Sequence, residues 1–171
     1  MTERLEFDGG CSWGLGRDYI RRWHHETRQR GGRLGPQAGV LSLVPGLFST
    51  DAEESTRSLR SLLRMCVAQE PARENLYLTL GYNVSVPLLV RQALLSRSFD
   101  NDDLLPTLQK PVPIVHGDRD PIVNPSVVDQ HKASLLDAEV AMMPNAVHAP
   151  FWDDAPAFNE RLQTFCERLE P

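Results

Sequence analysis

Residues 112–120 read VPIVHGDRD, and residues 138–148 read AEVAMMPNAVH. Each stretch is an apolar run that ends in a polar turn. Short apolar runs without alternation indicate strands buried on both faces, as in a parallel sheet. Pro113 cannot donate a hydrogen bond to a neighbouring strand, so it favours a position near a sheet edge. The sequence therefore predicts strands at 112–116 and 138–143, each followed by a polar loop.

Helical patterns follow both predicted strands. The tripeptide at 124–126, Asn-Pro-Ser, begins a helix that extends to about Leu136. Asp153 or Asp154 can cap the last helix. The apolar stripe of that helix consists of Ala157, Phe158, Leu162, Phe165 and Leu169. Strand, helix, strand and helix across short links predict a parallel pair joined by a right-handed crossover.

The chain before these strands carries another apolar run and then more helical patterns. The run Val40–Val44, bounded by glycine and proline, predicts a third strand. A capping signal at 50–53 begins a helix, and further helical segments follow at about 73–82 and 87–95. This much helix exceeds a minimal crossover, so we expect a cap over one sheet edge. The predicted organisation is an N-terminal segment with one strand at 1–48, a helical cap at 49–100 and a βαβα core at 101–171.

Two polar loops leave the predicted strands at one edge of the sheet. Asp120 lies in the first loop and His148 in the second, and the carboxyl ends of parallel strands converge where ligands usually bind. A carboxylate on one ring nitrogen fixes a histidine tautomer and stabilises its protonated form, so this pair suits a proton relay. The alternatives are a turn role for Asp120 before Pro121 and, for His148, a partly exposed loop position packed on Trp152. Asp118 and Arg119 are expected to hold the loop.

A candidate nucleophile lies near the N-terminus. Residues 10–14 read GCSWG, a G-x-S-x-G pattern whose glycines permit a sharp strand-to-helix turn that exposes the hydroxyl of Ser12. Such a short pattern also arises by chance, so the alternative is a serine with no catalytic role. The nearby His24, His25 and Glu26 diverge around a helix and have no further ligand at a suitable spacing, so no metal is expected.

Three stretches carry a resemblance to a known family. Residues 104–123, LLPTLQKPVPIVHGDRDPIV, and 145–165, NAVHAPFWDDAPAFNERLQTF, resemble the C-terminal half of α/β-hydrolase fold enzymes, near the esterase and cofactor-free haloperoxidase branch. Residues 86–105, VPLLVRQALLSRSFDNDDLL, resemble the end of the cap in the same branch. The resemblance implies an α/β fold, namely a partial α/β-hydrolase-like parallel sheet with a helical cap insertion and without the N-terminal half.

The resemblance also implies a function and its residues. Ser12 corresponds to the nucleophile, Asp120 to the acid and His148 to the base, in the chain order that the family uses. The protein is then expected to be a serine hydrolase for a small ester or acyl substrate, without a cofactor. Because few residues precede Ser12, the N–H of Trp13 is the remaining candidate oxyanion donor. Val147 stands where the family usually has glycine, which removes backbone freedom beside the histidine.

Phe151 and Trp152 follow the candidate base closely in the sequence. We interpret them as core residues and as a wall of the substrate pocket.

Composition limits the remaining functions. The chain has 171 residues, 41% hydrophobic and 24% charged, as expected for one globular domain. It has no run of 18 apolar residues and begins with charged ones, so we expect a cytoplasmic protein with no membrane partner. Its three widely spaced cysteines fit neither a disulfide framework nor a CxxC metal pattern. The net charge of −5 disfavours nucleic acid as a partner. The Arg-rich segment 17–33 leaves that alternative open, and salt-sensitive retention on heparin would test it.

A second hypothesis of another class follows from the same resemblance. An incomplete parallel sheet exposes an edge and an apolar face, which invites a homodimer or another protein partner. The chain would then be an inactive hydrolase remnant that acts as a binding domain. Light scattering separates the two hypotheses, because a compact monomer with little exposed apolar surface speaks against the binding domain.

Overall fold

A computed structural model of the protein describes residues 38–96 and 104–169. The first range is helical and is called the helical region below. The second range, called the sheet region, contains two parallel strands and their flanking helices. The predicted order of strand, helix, strand and helix is confirmed in the sheet region. The described chain is therefore an α/β structure.

The helical region follows the sequence prediction from residue 50 onward. Its helices are α1 (Ala38–Leu41), α2 (Val44–Leu47), α3 (Ala52–Met65), α4 (Arg73–Ser85) and α5 (Leu88–Ser96). Helix α3 begins at the predicted capping signal, where the Asp51 side chain accepts a hydrogen bond from the Glu54 N–H at 2.7 Å. A cluster of buried apolar side chains joins α2, α3 and α4, and its members are Val44, Leu47, Phe48, Leu59 and Leu80.

The expected strand at Val40–Val44 is wrong, because this run spans the end of α1, a turn and the start of α2. The buried residues Val40, Val44 and Leu47 recur at helical intervals. Pro45 lies in the first turn of α2, where its fixed φ suits a helix and its missing N–H is not needed. A short apolar run between glycine and proline does not distinguish a strand from a buried helix. Residues 38–48 therefore contribute helix, and no strand, to the fold.

The two strands of the sheet region match their predicted ranges closely. Strand β1 (Val112–Gly117) pairs in parallel with β2 (Ala138–Met143), and Gly117 lies opposite Met143. The Val112 N–H donates to Asp137 O at 2.9 Å, so the backbone nitrogen of the next residue, Pro113, points away from β2. Pro113 is tolerated there because no donor toward β2 is required.

One helix connects the two strands of the sheet region, and two more follow the second strand. Helix α6 (Val127–Ser134) links the strands and is shorter than predicted, because turns occupy the chain before it. The short α7 (Pro150–Asp153) was not expected, and it precedes α8 (Ala155–Leu169). Asp154 caps α8 by accepting from the Ala157 N–H at 3.1 Å, which confirms a cap near this position. Within residues 38–96 and 104–169, no helix combines the length and apolar character needed to cross a bilayer.

Only part of the apolar stripe predicted for α8 is covered. Phe165 is buried, whereas Leu162 and Leu169 are about half exposed. The described strands therefore cover only part of the predicted stripe.

Candidate active site

The loops after β1 and β2 cross at the carboxyl edge of the sheet, and a glycine makes the crossing possible. A Cβ atom added to Gly117 would lie 2.1 Å from Val147 O and 2.5 Å from Ala146 O. Both contacts are to backbone, which cannot rotate away as a flexible side chain can. Gly117 therefore allows the acid loop (residues 118–123) to pass directly against the base loop (residues 144–149).

Hydrogen bonds lock the two loops together. The Asp118 N–H donates to Met143 O at 3.1 Å, and the Arg119 N–H donates to Ala146 O at 3.1 Å. In the opposite direction, the Asn145 N–H donates to the Asp118 side chain at 2.7 Å. Asn145 has a φ of 63°, a left-handed conformation that asparagine adopts more readily than most residues. The expectation that Asp118 holds the loop is confirmed, and Arg119 contributes a bond from its backbone N–H.

This crossing brings Asp120 and His148 together. His148 Nδ1 lies 3.0 Å from Asp120 Oδ2, and the Asp120 side chain is only 3% exposed. The second oxygen, Oδ1, accepts from the N–H groups of Ile122 at 2.8 Å and Val123 at 3.0 Å. The carboxylate is thus held from its own loop on one oxygen and faces the imidazole with the other.

The electrostatics of the pair follow from these contacts. Burial opposes ionisation of Asp120, but the hydrogen bonds from His148, Val123 and Ile122 together lower its pKa. The hydrogen bond to Asp120 raises the pKa of His148, against the opposite effect of burial. An ionised carboxylate only accepts hydrogen bonds, so His148 Nδ1 carries a hydrogen and donates a hydrogen bond to Asp120. The tautomer leaves Nε2 as the ring atom with a lone pair.

A second histidine contacts the same carboxylate and was not identified from the sequence as a site residue. His116 is the last-but-one residue of β1, and its Nε2 lies 3.4 Å from Asp120 Oδ2 and 3.3 Å from Val123 O. The side chain is 14% exposed. The signal for it was available, since His116 is a polar residue at the carboxyl end of a predicted parallel strand, where ligands usually bind.

The base loop is also bonded to the helical region. The Val147 N–H donates to Asp153 Oδ2 at 2.7 Å, and the other oxygen of Asp153 accepts from the Ala68 N–H at 2.7 Å. The Ala149 N–H donates to Cys66 O at 2.8 Å. The sequence suggested Asp153 as a helix cap, and only the tertiary structure reveals its contact with a turn 85 positions earlier in the chain.

Comparison with solved structures finds enzymes with a similar fold. RhEst1, an esterase from Rhodococcus sp. ECU1013, is 28% identical, with a TM-score of 0.73 over 82% of this chain and 52% of its own. EaEST, an esterase from Exiguobacterium antarcticum, is 18% identical, with a TM-score of 0.61 over 75% of this chain and 47% of its own. A thermophilic esterase from Thermogutta terrifontis is 15% identical, with a TM-score of 0.52 over 94% of this chain and 53% of its own.

These structures, together with a meta-cleavage product hydrolase that also matches, are α/β-hydrolase fold enzymes. The protein has a partial α/β-hydrolase fold. Its parallel strands and helical region fit such a fold with a helical cap, so the predicted fold class is confirmed. The chain spans about half the length of the esterases it matches. No model of a known protein family matches the sequence, and neither does any curated protein.

The sequence predicted four further site residues besides Asp120 and His148. Ser12 and Trp13 lie outside the described residues. Phe151 and Trp152 are 56% and 54% exposed, so the interpretation of them as core residues is wrong. Both lie in α7, a single helical turn, where the Phe151 ring packs edge-on against the Phe158 ring at 6.0 Å between centroids. Their role as a pocket wall stays a prediction.

One thiol lies near the carboxylate. Burial, and then the negative charge of Asp120, raise the pKa of Cys66. The thiol is hydrogen-bonded to Leu62 O at 3.3 Å. Cys66 therefore stays protonated at neutral pH, and a protonated thiol is a poor nucleophile. Among the described residues, no three His, Cys, Asp or Glu side chains converge as a metal site would require.

Proposed function

We propose that the protein is a serine hydrolase that cleaves a small ester or related acyl substrate. The observation that carries this proposal is the hydrogen bond from His148 Nδ1 to the buried carboxylate of Asp120, at the carboxyl edge of the parallel sheet. The name of RhEst1, an esterase, supports the same reaction class here. In this proposal Ser12 is the nucleophile, His148 the general base and Asp120 the residue that orients the base.

Asp120 prepares His148 for proton transfer. Its hydrogen bond fixes the Nδ1–H tautomer, so Nε2 can accept a proton. The negative charge of Asp120 then stabilises the imidazolium that forms, and this stabilisation raises the pKa of His148. Because two N–H groups already neutralise part of its charge, Asp120 remains ionised throughout and takes no proton itself.

The chemistry proceeds in two steps. In acylation, Ser12 Oγ attacks the substrate carbonyl as its proton passes to His148 Nε2, and His148 then gives that proton to the departing alkoxide. In deacylation, water attacks the acyl-enzyme while His148 takes its proton, and the proton returns to Ser12 Oγ as the acid leaves. The N–H of Trp13 is proposed to donate to the oxyanion in both steps.

The proposed substrate is small and largely apolar. The helical region supplies apolar side chains between Leu47 and Leu94 that would favour a short acyl or aryl group. Phe151 and Trp152 are proposed to form one wall of the pocket, because both rings present apolar surface beside the base loop. Cys66 is set aside as a nucleophile because its thiol has a raised pKa.

A fluorophosphonate probe tests the nucleophile. Such a probe phosphonylates an activated serine, so we expect a single labelled residue, which peptide mass spectrometry identifies as Ser12. Labelling should disappear in Ser12→Ala and fall steeply in His148→Ala. His131→Ala is the matched control, because His131 is an exposed histidine on α6 outside the site, and it should label normally.

Turnover of a short-chain p-nitrophenyl ester provides the second measurement. We expect it to require both Ser12 and His148. Turnover that survives both Ser12→Ala and His148→Ala would refute the assignment. A folded wild-type chain that neither labels nor turns over the ester would instead support the inactive binding domain.

A further inference from the structure

Both neighbours of His148 in the chain are anchored outside the base loop. The N–H of Val147 donates to Asp153 Oδ2, and the N–H of Ala149 donates to Cys66 O. The remaining oxygen of Asp153 accepts from Ala68 N–H. A single carboxylate therefore links the residue before the candidate base to the turn between α3 and α4.

The geometry suits a carboxylate better than any other side chain. Both hydrogen bonds of Asp153 are 2.7 Å long, within the range of charge-assisted bonds, which are stronger than neutral ones. Each oxygen accepts from a different backbone N–H, so both oxygens must be acceptors. An asparagine has only one acceptor oxygen and would present its amide hydrogens to the second N–H.

The base loop is thus held on two sides. On the sheet side, Gly117 permits close contact with Val147 O, and the acid loop bonds to Ala146 O. On the other side, Asp153 and Cys66 tie the loop to the helical region. The His148 side chain is 39% exposed, so its orientation depends on its hydrogen bond to Asp120 and on the anchored backbone that presents the ring to that carboxylate.

We propose that Asp153 is a positioning residue that keeps the His148 ring on Asp120 by tying the base loop to the turn between α3 and α4. The inference rests on the proposed function for its catalytic consequence. A displacement of about 1 Å in a catalytic group can cost about 10²-fold in rate. We therefore expect kcat to fall by about 10-fold in Asp153→Asn, which keeps one acceptor, and by about 100-fold in Asp153→Ala. KM should change little.

Ring ¹⁵N NMR of the full-length protein gives a measurement that does not depend on activity. At a pH where His148 is neutral, the wild type should show the Nδ1–H tautomer alone. Asp153→Asn and Asp153→Ala should show a growing share of the Nε2–H tautomer, in that order. Asp154→Asn is the matched control, because the neighbouring carboxylate bonds to Ala157 N–H in its own helix, and the tautomer should not change.

The outcomes separate this inference from the proposed function. A single Nδ1–H tautomer in both Asp153 variants, with unchanged kcat, would overturn the positioning role even if the enzyme is active. Mixed tautomers in a protein that hydrolyses no ester would support the positioning role and reject the proposed function. If Asp153→Ala fails to fold, as circular dichroism would reveal, the milder Asp153→Asn decides the question alone.

Discussion

The helical region and the sheet region are stabilised in different ways. In the helical region the buried side chains are mainly apolar, with Phe48 and Leu59 among the most deeply buried. In the sheet region a carboxylate, Asp120, is as buried as Phe48, at 3% exposure each. There, direct contact between backbone segments at Gly117 brings the loops together. Both regions bury apolar side chains, Met143 at 2% exposure among them, but the loop crossing of the sheet region depends in addition on the absence of a side chain at Gly117 and on satisfied polar groups.

This difference determines what each region tolerates. An apolar core accepts changes that keep its volume, because neighbouring side chains can repack. A crossing of two backbones has no such freedom, and a buried carboxylate that loses a partner keeps its desolvation cost. We expect conservative changes to be severe in the loops and mild in the helices.

The largest expected effect is that of Asp120→Asn on catalysis. The amide group is nearly the same size but no longer fixes the Nδ1–H tautomer of His148, so kcat for a p-nitrophenyl ester should drop by about 10⁴-fold. Asp129→Asn, an exposed aspartate on α6, serves as the control and should retain full activity. If Asp120→Asn retains wild-type kcat, the buried pair has a purely structural role.

Glycine-to-alanine changes compare the two regions directly. Gly117→Ala places a Cβ against two carbonyl groups of the base loop, and we expect it to lower the free energy of unfolding by about 3 kcal/mol. Gly81→Ala in α4 meets no atom within 4 Å and should raise it by up to about 1 kcal/mol, since alanine favours a helix. Urea denaturation monitored by circular dichroism measures both. Equal effects at the two positions would contradict the comparison.

The sequence predicted the sheet region better than the start of the helical region. The strands at 112–116 and 138–143 were recoverable because their apolar runs end in polar turns, and the approach of Asp120 to His148 followed from parallel pairing alone. The run at Val40–Val44 was misread because a buried helix and a buried strand share the same short apolar pattern.

Contacts between distant segments were the part that the sequence could not supply. The hydrogen bond from the Ala68 N–H to Asp153 and the close approach of Gly117 to Val147 O depend on how the loops and turns meet in three dimensions. No local pattern encodes either one. The exposure of Phe151 and Trp152 was missed for a related reason, since aromatic character predicts burial only when a neighbouring element is present to cover it.

A smaller effect is expected from removing the cap of α3. Asp51→Ala loses the hydrogen bond to the Glu54 N–H and should lower the free energy of unfolding by about 1 kcal/mol. The exposed ion pair of Glu53 with Arg57 provides the comparison, and Glu53→Ala should cost about 0.5 kcal/mol or less. Neither change should alter the ¹⁵N signals of His148. A shifted His148 signal would mean that the two regions respond as one unit.

The smallest expected effect is the pH dependence of stability that comes from His148 and Asp120. The pKa of His148 is raised in the folded protein by its bond to Asp120, so its contribution to stability is complete below the ordinary histidine range and is lost as pH rises through the folded value. Burial works against ionisation of Asp120, but its hydrogen bonds lower its pKa overall. Its contribution is complete above the ordinary carboxyl range and is lost as pH falls through the folded value.

The stability of the sheet region should therefore be greatest between the ordinary carboxyl and histidine ranges and fall on both sides. The loss of stability at high pH, which comes from His148, is small because the ring is 39% exposed and water screens its interaction with Asp120. Urea midpoints of wild type and His148→Asn across a pH series above the ordinary carboxyl range measure it, because titrating groups that do not contact His148 or Asp120 cancel in the difference. The difference should shrink as pH rises above the ordinary histidine range. A difference that grows with pH would mean that the folded protein prefers neutral His148, contrary to a bond with an ionised Asp120.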